Sequence, residues 1–259
     1  MAKPALVKLG GSVLTDKGGA ASFRRGNARR ALAEVAKAEI PVVLLHGAGS
    51  FAHPIVARSR LGAGPLDSTR REAVGEVLAS LAELEAHMLA AAHAAGLRPV
   101  PVPLHVSVRQ EGGQLSGLPS ADTAELLDDG FTPVLHGTLV RDDRTGWTVL
   151  GADRILAEMA AELAPRVALF ATDVDGVFDR DPSDEDAELL PRVRPETRFT
   201  HGEGRGEDVT GRMAGKLVWA FAAARHTPTM IVNGVARGRI LDALRGKTVL
   251  GTRVEVGSK

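Results

Sequence analysis

The sequence predicts an α/β protein, a three-layer αβα sandwich in which helices cover both faces of a mostly parallel sheet. Short apolar runs alternate with segments of helical periodicity along the 259 residues, and this alternation is typical of parallel strands joined by helical crossovers. Apolar residues make up 44% and charged residues 25% of the chain, which is the balance of an ordinary globular protein with a packed core. The length fits one large α/β domain or two modest lobes.

Apolar runs and turn residues mark the predicted elements of the first half. Residues 5–9 (ALVKL) and 41–45 (PVVLL) have the length and composition of buried strands, and 24–39 between them has helical spacing. The long segment 68–96 keeps helical spacing until Gly96, a residue type favoured just beyond helix C-termini. The other elements expected here are an extended segment at 98–102, a polar hairpin at 104–118, a helix at 120–129 with Ser120 as N-cap, and a strand at 132–137.

The second half continues the alternation. A hairpin at 138–150 turns around residues 143–146 and leads into a helix at 152–164. The elements expected after it are a strand at 166–171, an irregular acidic stretch to about residue 207, a helix at 210–226, a strand at 229–234, a helix at 236–245 and two short strands at 248–251 and 253–256. We place a lobe boundary near residue 165, so that lobes 1–165 and 166–259 share one continuous sheet.

Composition argues against several classes of function. The 32 basic and 32 acidic residues cancel, which gives no electrostatic reason to expect nucleic acid or an anionic membrane as partner. The absence of cysteine rules out disulfides, thiolate metal sites and cysteine nucleophiles. Lys8 interrupts the one early apolar run, and no uncharged stretch approaches the ~18–20 residues of a membrane span. We therefore expect a soluble, cytoplasmic protein.

Three glycine-rich turns, each placed after an apolar strand, predict a phosphate-binding crevice. KLGGS follows 5–9, HGAGS follows 41–45, and DVDGVF follows 166–171. Ligands of open parallel sheets bind beyond the carboxyl ends of the strands, and glycine lets backbone N–H groups approach a phosphate closely. The spacing excludes two common phosphate motifs. GRMAGKL at 211–217 has three residues between its glycines and a leucine after the lysine, unlike a P-loop, and KLGGS lacks the dinucleotide pattern G-x-G-x-x-G.

Lysine is rare in this chain, which makes its position informative. Only seven of the 32 basic residues are lysines, although arginine serves equally well wherever charge alone is needed. A compact ammonium differs from a guanidinium as a point charge. Three of the seven, Lys8, Lys17 and Lys216, lie in or beside the glycine-rich motifs.

Taken together, these motifs resemble the amino acid kinase family over the whole chain. The matching segments are VKLGGS near the start, the glycine turn after the second strand, TDVDGVF, and DVTGRMAGK at 208–216. KLGGSVLTDK combined with HGAGSF and His53 is most similar to the isopentenyl phosphate kinase branch. The resemblance implies an amino acid kinase-like sandwich that uses ATP with Mg²⁺, transfers the γ-phosphoryl group to isopentenyl phosphate, and forms a homodimer.

The resemblance also implies roles for individual residues. Lys8 and Lys216 would neutralise the transferring phosphoryl group and the nucleotide phosphates, Lys17 would stabilise the transition state, and Asp153 would orient the lysines. The residues expected to donate hydrogen bonds to phosphate are Gly10, Gly11, Ser12 and Gly49. Those expected to contact the acceptor are Ala48, His53 and Gly151, and those expected in the adenine-nucleotide loop are Asp173, Asp175 and Gly176. Mg²⁺ would be held mainly by ATP, so no protein ligand is predicted.

Three positions depart from the family pattern. Arg212 stands where a second glycine is usual near the nucleotide, and Ala52 replaces the glycine before His53. LGADR at 150–154 replaces the commoner SGDD, which leaves Asp153 as the one carboxylate of that segment. None of the three removes a lysine or the aspartate that orients the lysines.

Other interpretations remain open at this stage. The chain could be a kinase of another small phosphate or phosphonate such as fosfomycin, a carboxylate kinase of the glutamate or acetylglutamate type, or a non-catalytic nucleotide-binding protein. A phosphate acceptor is already an anionic nucleophile at neutral pH and needs no general base. Two structural questions also remain: whether His46 merely packs in the core, and whether the apolar stripe of 68–96 is core or the wall of an acceptor pocket. The stripe consists of Leu78, Leu81, Leu84 and Met88.

Overall fold

A computed structural model describes residues 2–16, 21–197 and 209–257 of the protein, with the backbone alone at 209–212. The strands in these ranges are β1 (Ala5–Leu9), β2 (Val42–His46), β3 (Pro99–Pro101), β4 (Arg109–Glu111), β5 (Gln114–Ser116), β6 (Thr132–His136), β7 (Thr138–Asp142), β8 (Gly146–Leu150), β9 (Val167–Thr172), β10 (Val177–Phe178), β11 (Leu189–Leu190), β12 (Arg192–Val193), β13 (Thr229–Asn233) and β14 (Gly251–Val254).

The helices vary from single turns to 27 residues. They are α1 (Gly11–Leu14), α2 (Arg25–Ala36), α3 (His53–Ser59), α4 (Ser68–Ala94), α5 (Leu104–Ser107), α6 (Ser120–Asp128), α7 (Ala152–Leu163), α8 (Val209–Ala224) and α9 (Arg239–Leu244). A short 3₁₀ turn, Gly49–Phe51, lies between β2 and α3. Over the described ranges, no helix combines the length and apolarity needed to cross a bilayer.

An eight-stranded sheet in the order β12-β14-β13-β9-β1-β2-β6-β3 forms the middle layer. All neighbouring pairs from β13 to β3 are parallel, and β14 is antiparallel to β13. β1 is central, between β9 and β2, so the carboxyl ends of β9, β1, β2 and β6 lie side by side at one edge. A smaller sheet, β5-β4-β7-β8, continues from the end of β6.

Alternate residues of the central strands enter two separate cores, one on each face of the sheet. Val7 and Leu44 pack with α2, α4 and α9, on what we call the α4 face. Leu6 and Leu45 pack with α6, α7 and α8, on what we call the α7 face. Successive side chains of a strand point to opposite faces of the sheet, so a strand covered by helices on both faces contributes to two cores. The predicted three-layer αβα sandwich is confirmed.

Three local predictions were wrong. Ser120 is the first residue of α6 and not its N-cap, because its hydroxyl is buried and donates a hydrogen bond to Met159 Sδ at 3.2 Å. Segment 104–118 begins with helix α5 before the expected hairpin of β4 and β5. The segment expected to hold two short strands after residue 247 contains one strand, β14.

The acidic stretch also contains short strands that its composition did not predict. β10 pairs with β11, and β12 joins the edge of the central sheet beside β14. The end of this stretch, residues 198–208, lies outside the described residues.

Candidate active site

One carboxylate and two lysines form an ion cluster near the edge where β1 ends. Asp153 Oδ1 lies 2.8 Å from Lys8 Nζ, and Asp153 Oδ2 lies 3.1 Å from Lys216 Nζ. The side chains of Lys8 and Lys216 are 7% and 10% exposed, whereas that of Asp153 is 21% exposed. We call Lys8, Asp153 and Lys216 the lysine cluster. The structure therefore brings together three residues that the resemblance assigned to one site.

Each member of the lysine cluster comes from a different element. Lys8 is the second-last residue of β1 and faces α7, because it alternates with Leu9, which faces α4. Asp153 lies in the first turn of α7, which begins after Gly151. Lys216 lies on α8, and its Nζ is 5.7 Å from the centre of the Phe170 ring in β9. Lys8 and Phe170 are register neighbours, so the ring and the lysine occupy adjacent positions on the α7 face.

The electrostatics of the cluster leave an excess of positive charge. Burial raises the pKa of Asp153, but the two neighbouring ammonium groups lower it more, to about 2. Burial and repulsion from Lys8 lower the pKa of Lys216 to about 8, against the attraction of Asp153. At neutral pH the cluster consequently carries two positive charges and one negative charge. The net charge of about +1 in a poorly hydrated position favours a phosphate group as the next neighbour.

The first two glycine turns pack directly against each other. A Cβ atom at Gly11 would lie 2.6 Å from Gly49 Cα, and one at Gly47 would lie 2.7 Å from Gly11 N. Gly49 also has a positive φ of 51°, and a Cβ there would collide with the Thr15 side chain. Close approach of these two turns to each other thus already requires glycine. The predicted role of glycine in approaching a phosphate is therefore not the only reason for these residues.

Four backbone donors of these turns have no acceptor within the described part of the chain. They are the N–H groups of Gly11, Ser12, Ala48 and Gly49. Their neighbours are engaged: Gly10 N–H donates to Ala171 O at 2.8 Å, and Gly47 N–H donates to Leu9 O at 2.9 Å. Successive unengaged N–H groups in a turn form an anion-binding concavity. Ser12, Gly49 and Ala48, predicted from the sequence, thus occur together where β1 and β2 end.

His53 begins α3, and Pro54 follows it in the first turn. The side chain is exposed. The 3₁₀ turn before α3 ends at Phe51, and Ala52, with φ −126° and ψ −38°, separates it from α3. The N–H of Ser50 donates a hydrogen bond to the Thr15 hydroxyl at 3.1 Å.

Gly151, predicted to contact the acceptor, is the exposed N-cap of α7. The turn after β6 lies beside it, since a Cβ atom at Gly137 would be 3.1 Å from Ala152 N. The start of α7 therefore carries both the acceptor candidate Gly151 and the ion-pairing Asp153.

The residues predicted for the nucleotide loop follow β9 and have partners within the protein. Asp175 Oδ1 accepts a hydrogen bond from Asn233 Nδ2 at 3.0 Å. A Cβ atom at Gly176 would lie 2.5 Å from Thr252 Oγ1, so this glycine is required by packing. Asp173 lies between them and the end of β9, within 3.3 Å of the Thr172 hydroxyl.

Asn233 and the pair Arg30–Glu34 were missed by the sequence reasoning. Asn233 ends β13. Its Nδ2 donates a hydrogen bond to Asp175, and its Oδ1 accepts hydrogen bonds from the N–H groups of the two residues after Gly234. Arg30 donates to the carbonyls of Gly234 and Ala236. Glu34 accepts hydrogen bonds from three backbone N–H groups at the start of α9. A polar residue before a glycine at a strand end was the available signal for Asn233, whereas nothing local distinguished the other two.

Two predicted features lie outside the residues whose side chains are described. Lys17 falls in the gap after residue 16, so its position relative to the lysine cluster is a prediction. Arg212 belongs to the backbone-only start of α8. In the described part of the chain, no group of three histidine, aspartate or glutamate side chains is arranged to hold a metal ion.

The apolar stripe of α4 divides between two environments. Leu84 and Met88 are fully buried in the main core of the α4 face, so they are core residues. Leu81 instead belongs to a small apolar cluster between α3, α4 and β7, and Leu78 packs against that cluster from one side. The cluster, which we call the small apolar cluster, comprises Ala52, Ile55, Leu61, Ala73, Val77, Leu81 and Leu139. An acceptor-pocket role is therefore retained for the first half of α4 alone.

Comparison with known proteins agrees with the fold and the motifs. A family model described as "Amino acid kinase family" matches residues 3–233. The chain is 31% identical to isopentenyl phosphate kinase of Methanothermobacter thermautotrophicus over 96% of its length and 98% of the relative's. It superposes on a crystal structure of an isopentenyl phosphate kinase with a TM-score of 0.85, at 28% identity, covering 97% of this chain and 99% of that one. It is also 30% identical to glutamate 5-kinase of Xanthomonas axonopodis pv. citri, over 98% of this chain and 70% of the relative.

The match over residues 3–233 identifies the chain as a member of the amino acid kinase family, and the resemblance found in its motifs is confirmed. Its full-length relatives include proteins named isopentenyl phosphate kinase, a kinase of a phosphorylated acceptor.

The lowered pKa of Lys216 predicts how the activity depends on pH. Its pKa of about 8 means that the free enzyme loses this positive charge as the pH rises above 8. We expect kcat/KM for ATP to fall about tenfold per pH unit above that value, since kcat/KM reports the ionisation of the free enzyme. Lys216→Arg keeps a charge throughout this range and should abolish the alkaline decline while lowering overall activity.

Lys247→Arg is the matched control, because Lys247 forms a surface pair with Asp242 at 3.1 Å and is 60% exposed. Its pH profile should coincide with that of the unmodified protein. An alkaline decline that persists at the same pH in Lys216→Arg would show that another group titrates and would remove the Lys216 charge from this explanation.

Proposed function

We propose that the protein transfers the γ-phosphoryl group of ATP to isopentenyl phosphate, which yields isopentenyl diphosphate and ADP. The observation that carries the proposal is the lysine cluster, Lys8, Asp153 and Lys216, at the sheet edge where two glycine turns present unengaged N–H groups. The choice of isopentenyl phosphate as the acceptor is based on full-length relatives named isopentenyl phosphate kinase. Positive charge and fixed donors are what phosphoryl transfer requires of a protein.

The proposed reaction needs no general base. An oxygen of the acceptor phosphate attacks the γ-phosphorus of ATP, the new P–O bond forms, and the bond to the bridging oxygen of ADP breaks. A phosphate monoester has a second pKa near 6 and is therefore anionic at neutral pH. Lys8 and Lys216 offset the charge that accumulates on the transferring group, and Asp153 fixes the positions of both ammonium groups. Lys17 acts on the transition state, a role that rests on the family resemblance.

The acceptor phosphate binds the turn of Ala48 and Gly49, with Gly151 and His53 as further contacts. Support comes from the unengaged N–H groups of that turn and from the exposure of Gly151 and His53. The apolar tail of the acceptor lies against the small apolar cluster, because this cluster joins the start of α3 to the first half of α4. A five-carbon chain buries apolar area there at about 0.8 kcal/mol for each CH₂ group.

The nucleotide binds the C-terminal lobe, residues 166–259, through Asp173, Asp175 and Gly176 in the loop after β9. Its phosphates accept hydrogen bonds from the N–H groups of Gly11 and Ser12, at the end of β1 in the N-terminal lobe. The substrate is the Mg²⁺ complex of ATP, in which the phosphates themselves hold the ion. By analogy with the family, the protein is a cytoplasmic homodimer. Each copy of the chain contains both lobes, 1–165 and 166–259. Support for the nucleotide loop comes from its hydrogen bonds: Asn233 holds Asp175, and Arg30 holds the turn that follows Asn233.

The glutamate 5-kinase relative makes a carboxylate acceptor the second candidate. A carboxylate has two acceptor oxygens and one charge, whereas a phosphate monoester has three terminal oxygens and up to two charges. The excess charge of the lysine cluster and the four unengaged N–H groups suit the phosphate better. A phosphonate such as fosfomycin shares that chemistry and differs in the shape of its tail.

An acceptor panel tests the proposed function. ATP consumption is measured with isopentenyl phosphate, dimethylallyl phosphate, fosfomycin and glutamate at equal concentrations. We expect kcat/KM to be highest for isopentenyl phosphate, and we expect glutamate to give no turnover above the ATPase background. Turnover of glutamate with none of either prenyl phosphate would reject the proposal, and preference for fosfomycin would replace it by a phosphonate kinase.

His53 predicts a second, more local result. A hydrogen bond to a charged group is worth about 1.5–3 kcal/mol, so His53→Ala should lower kcat/KM for isopentenyl phosphate roughly 10- to 150-fold. His53→Gln, which keeps a donor, should retain much more activity. KM for ATP should change little in both variants. His93→Ala, at an exposed histidine of α4, is the control and should resemble the unmodified protein. Equal losses in the Ala and Gln variants, or loss of ATP affinity, would contradict the assignment.

A further inference from the structure

Three buried polar side-chain atoms have no hydrogen-bond partner in the described part of the chain. They are His46 Nε2, Glu85 Oε1 and Thr138 Oγ1. His46 ends β2, and Thr138 begins β7 two residues beyond the end of β6. Buried polar groups are normally paired, so such a group calls for a physical explanation. That all three occur around adjacent strand ends, beside the glycine turn of Gly47, points to a functional reason.

The two strand ends are joined by a pair of histidines. His46 and His136 are register neighbours on β2 and β6, and their rings stack with centroids 5.1 Å apart. Both belong to the α4 face, where Glu85 of α4 approaches His136 Nε2 to 3.7 Å. His46 is fully buried, and His136 is 8% exposed. The histidine pair thus lies on the opposite face of the sheet from the lysine cluster.

Each histidine faces the carbonyl group of the glycine that follows it. His46 Nδ1 lies 3.3 Å from Gly47 O, and His136 Nδ1 lies 3.0 Å from Gly137 O. A carbonyl oxygen can only accept, so Nδ1 is the donor in both contacts. Burial, with smaller effects of His136 and Lys8, lowers the pKa of His46 to about 3. His46 is therefore neutral at physiological pH, with its proton on Nδ1 and a lone pair on the unpartnered Nε2.

Gly47 needs an external restraint. Its Cα lies so close to the first glycine turn that a Cβ atom would be 2.7 Å from Gly11 N, which excludes any other residue. Glycine, however, leaves the orientation of the next peptide group weakly determined. A peptide group is planar and trans, so its C=O and N–H point in opposite directions. A histidine that holds Gly47 O on the α4 face consequently turns the N–H of Ala48 away from that face.

We propose that His46 is a positioning residue for the acceptor site: its Nδ1–H holds the Gly47 carbonyl, and this orients the Ala48 N–H toward the acceptor phosphate. The inference rests on the proposed function, which assigns the turn of Ala48 to that phosphate. His136 Nδ1–H holds the Gly137 carbonyl in the same way beside the start of α7. The buried position of His46, which looked compatible with simple packing in the sequence, then has a specific use.

A pair of variants separates this role from packing. The side-chain amide nitrogen of asparagine is attached to the γ carbon, as Nδ1 of histidine is, whereas that of glutamine reaches the position of Nε2. His46→Asn should keep KM for isopentenyl phosphate within about threefold of the unmodified protein, and His46→Gln should raise it at least tenfold. KM for ATP should stay the same in both. His93→Gln, at an exposed site, controls for the chemistry of the substitution.

Equal KM values for isopentenyl phosphate in the two variants, or a parallel rise of KM for ATP, would overturn the proposal. A measurement on the unmodified protein makes the test independent of how well the variants fold. The ¹⁵N chemical shifts of the His46 ring should report a neutral ring protonated at Nδ1 from pH 5 to 8. A ring protonated at Nε2 would also overturn it.

The outcome is distinguishable from failure of the proposed function. If the unmodified protein phosphorylates another acceptor of the panel in place of isopentenyl phosphate, the proposed function fails, and the two variants are compared with that acceptor. If it phosphorylates none, binding of inorganic phosphate is followed by the amide signal of Ala48. That signal should shift in the unmodified protein and in His46→Asn, and not in His46→Gln. No shift in the unmodified protein would overturn the inference itself.

Discussion

A single carboxylate that pairs with two buried lysines is the constraint on which the rest of the site depends. Asp153 ties Lys8 of the central strand to Lys216 of α8, so three distant parts of the chain must meet at one point. Two ammonium groups this close repel each other in a poorly hydrated environment, and the carboxylate between them makes their proximity tolerable. In the proposed enzyme, the remaining charge of about +1 attracts the phosphate groups to this edge of the sheet.

The glycine turns supply the hydrogen-bond donors at this edge of the sheet. Gly11, Gly47 and Gly49 pack so tightly that a Cβ atom at any of them would collide with the facing turn or with Thr15. The same packing leaves N–H groups of the two turns unengaged. β1 lies between β9 and β2 at the centre of the sheet. This position places both Lys8, on the α7 face, and the N–H groups of the turns that follow β1 and β2. In the proposed enzyme, the two turns separate nucleotide from acceptor.

The sequence predicted the layers of the fold and much of the site, and its failures have physical causes. Apolar alternation is local, so it located β1, β2, β6, β9 and β13, and family motifs located Lys8, Asp153 and Lys216. Contacts between distant elements have no local signal. The bond of Asn233 to Asp175 depends on strand order, and the approach of Glu85 to His136 depends on how α4 crosses the sheet. Such details follow from tertiary packing, which periodicity does not encode.

The free energy of unfolding of Asp153→Asn tests the central constraint most directly. Urea titration at pH 7 should show a loss of about 3 kcal/mol, because removing one partner of a buried ion cluster leaves charge uncompensated. Asp242→Asn is the matched comparison. It breaks the exposed pair with Lys247 and should cost less than about 1 kcal/mol. Equal stabilities of the two variants would contradict the account, since Asp153 would then not be what holds the two lysines together.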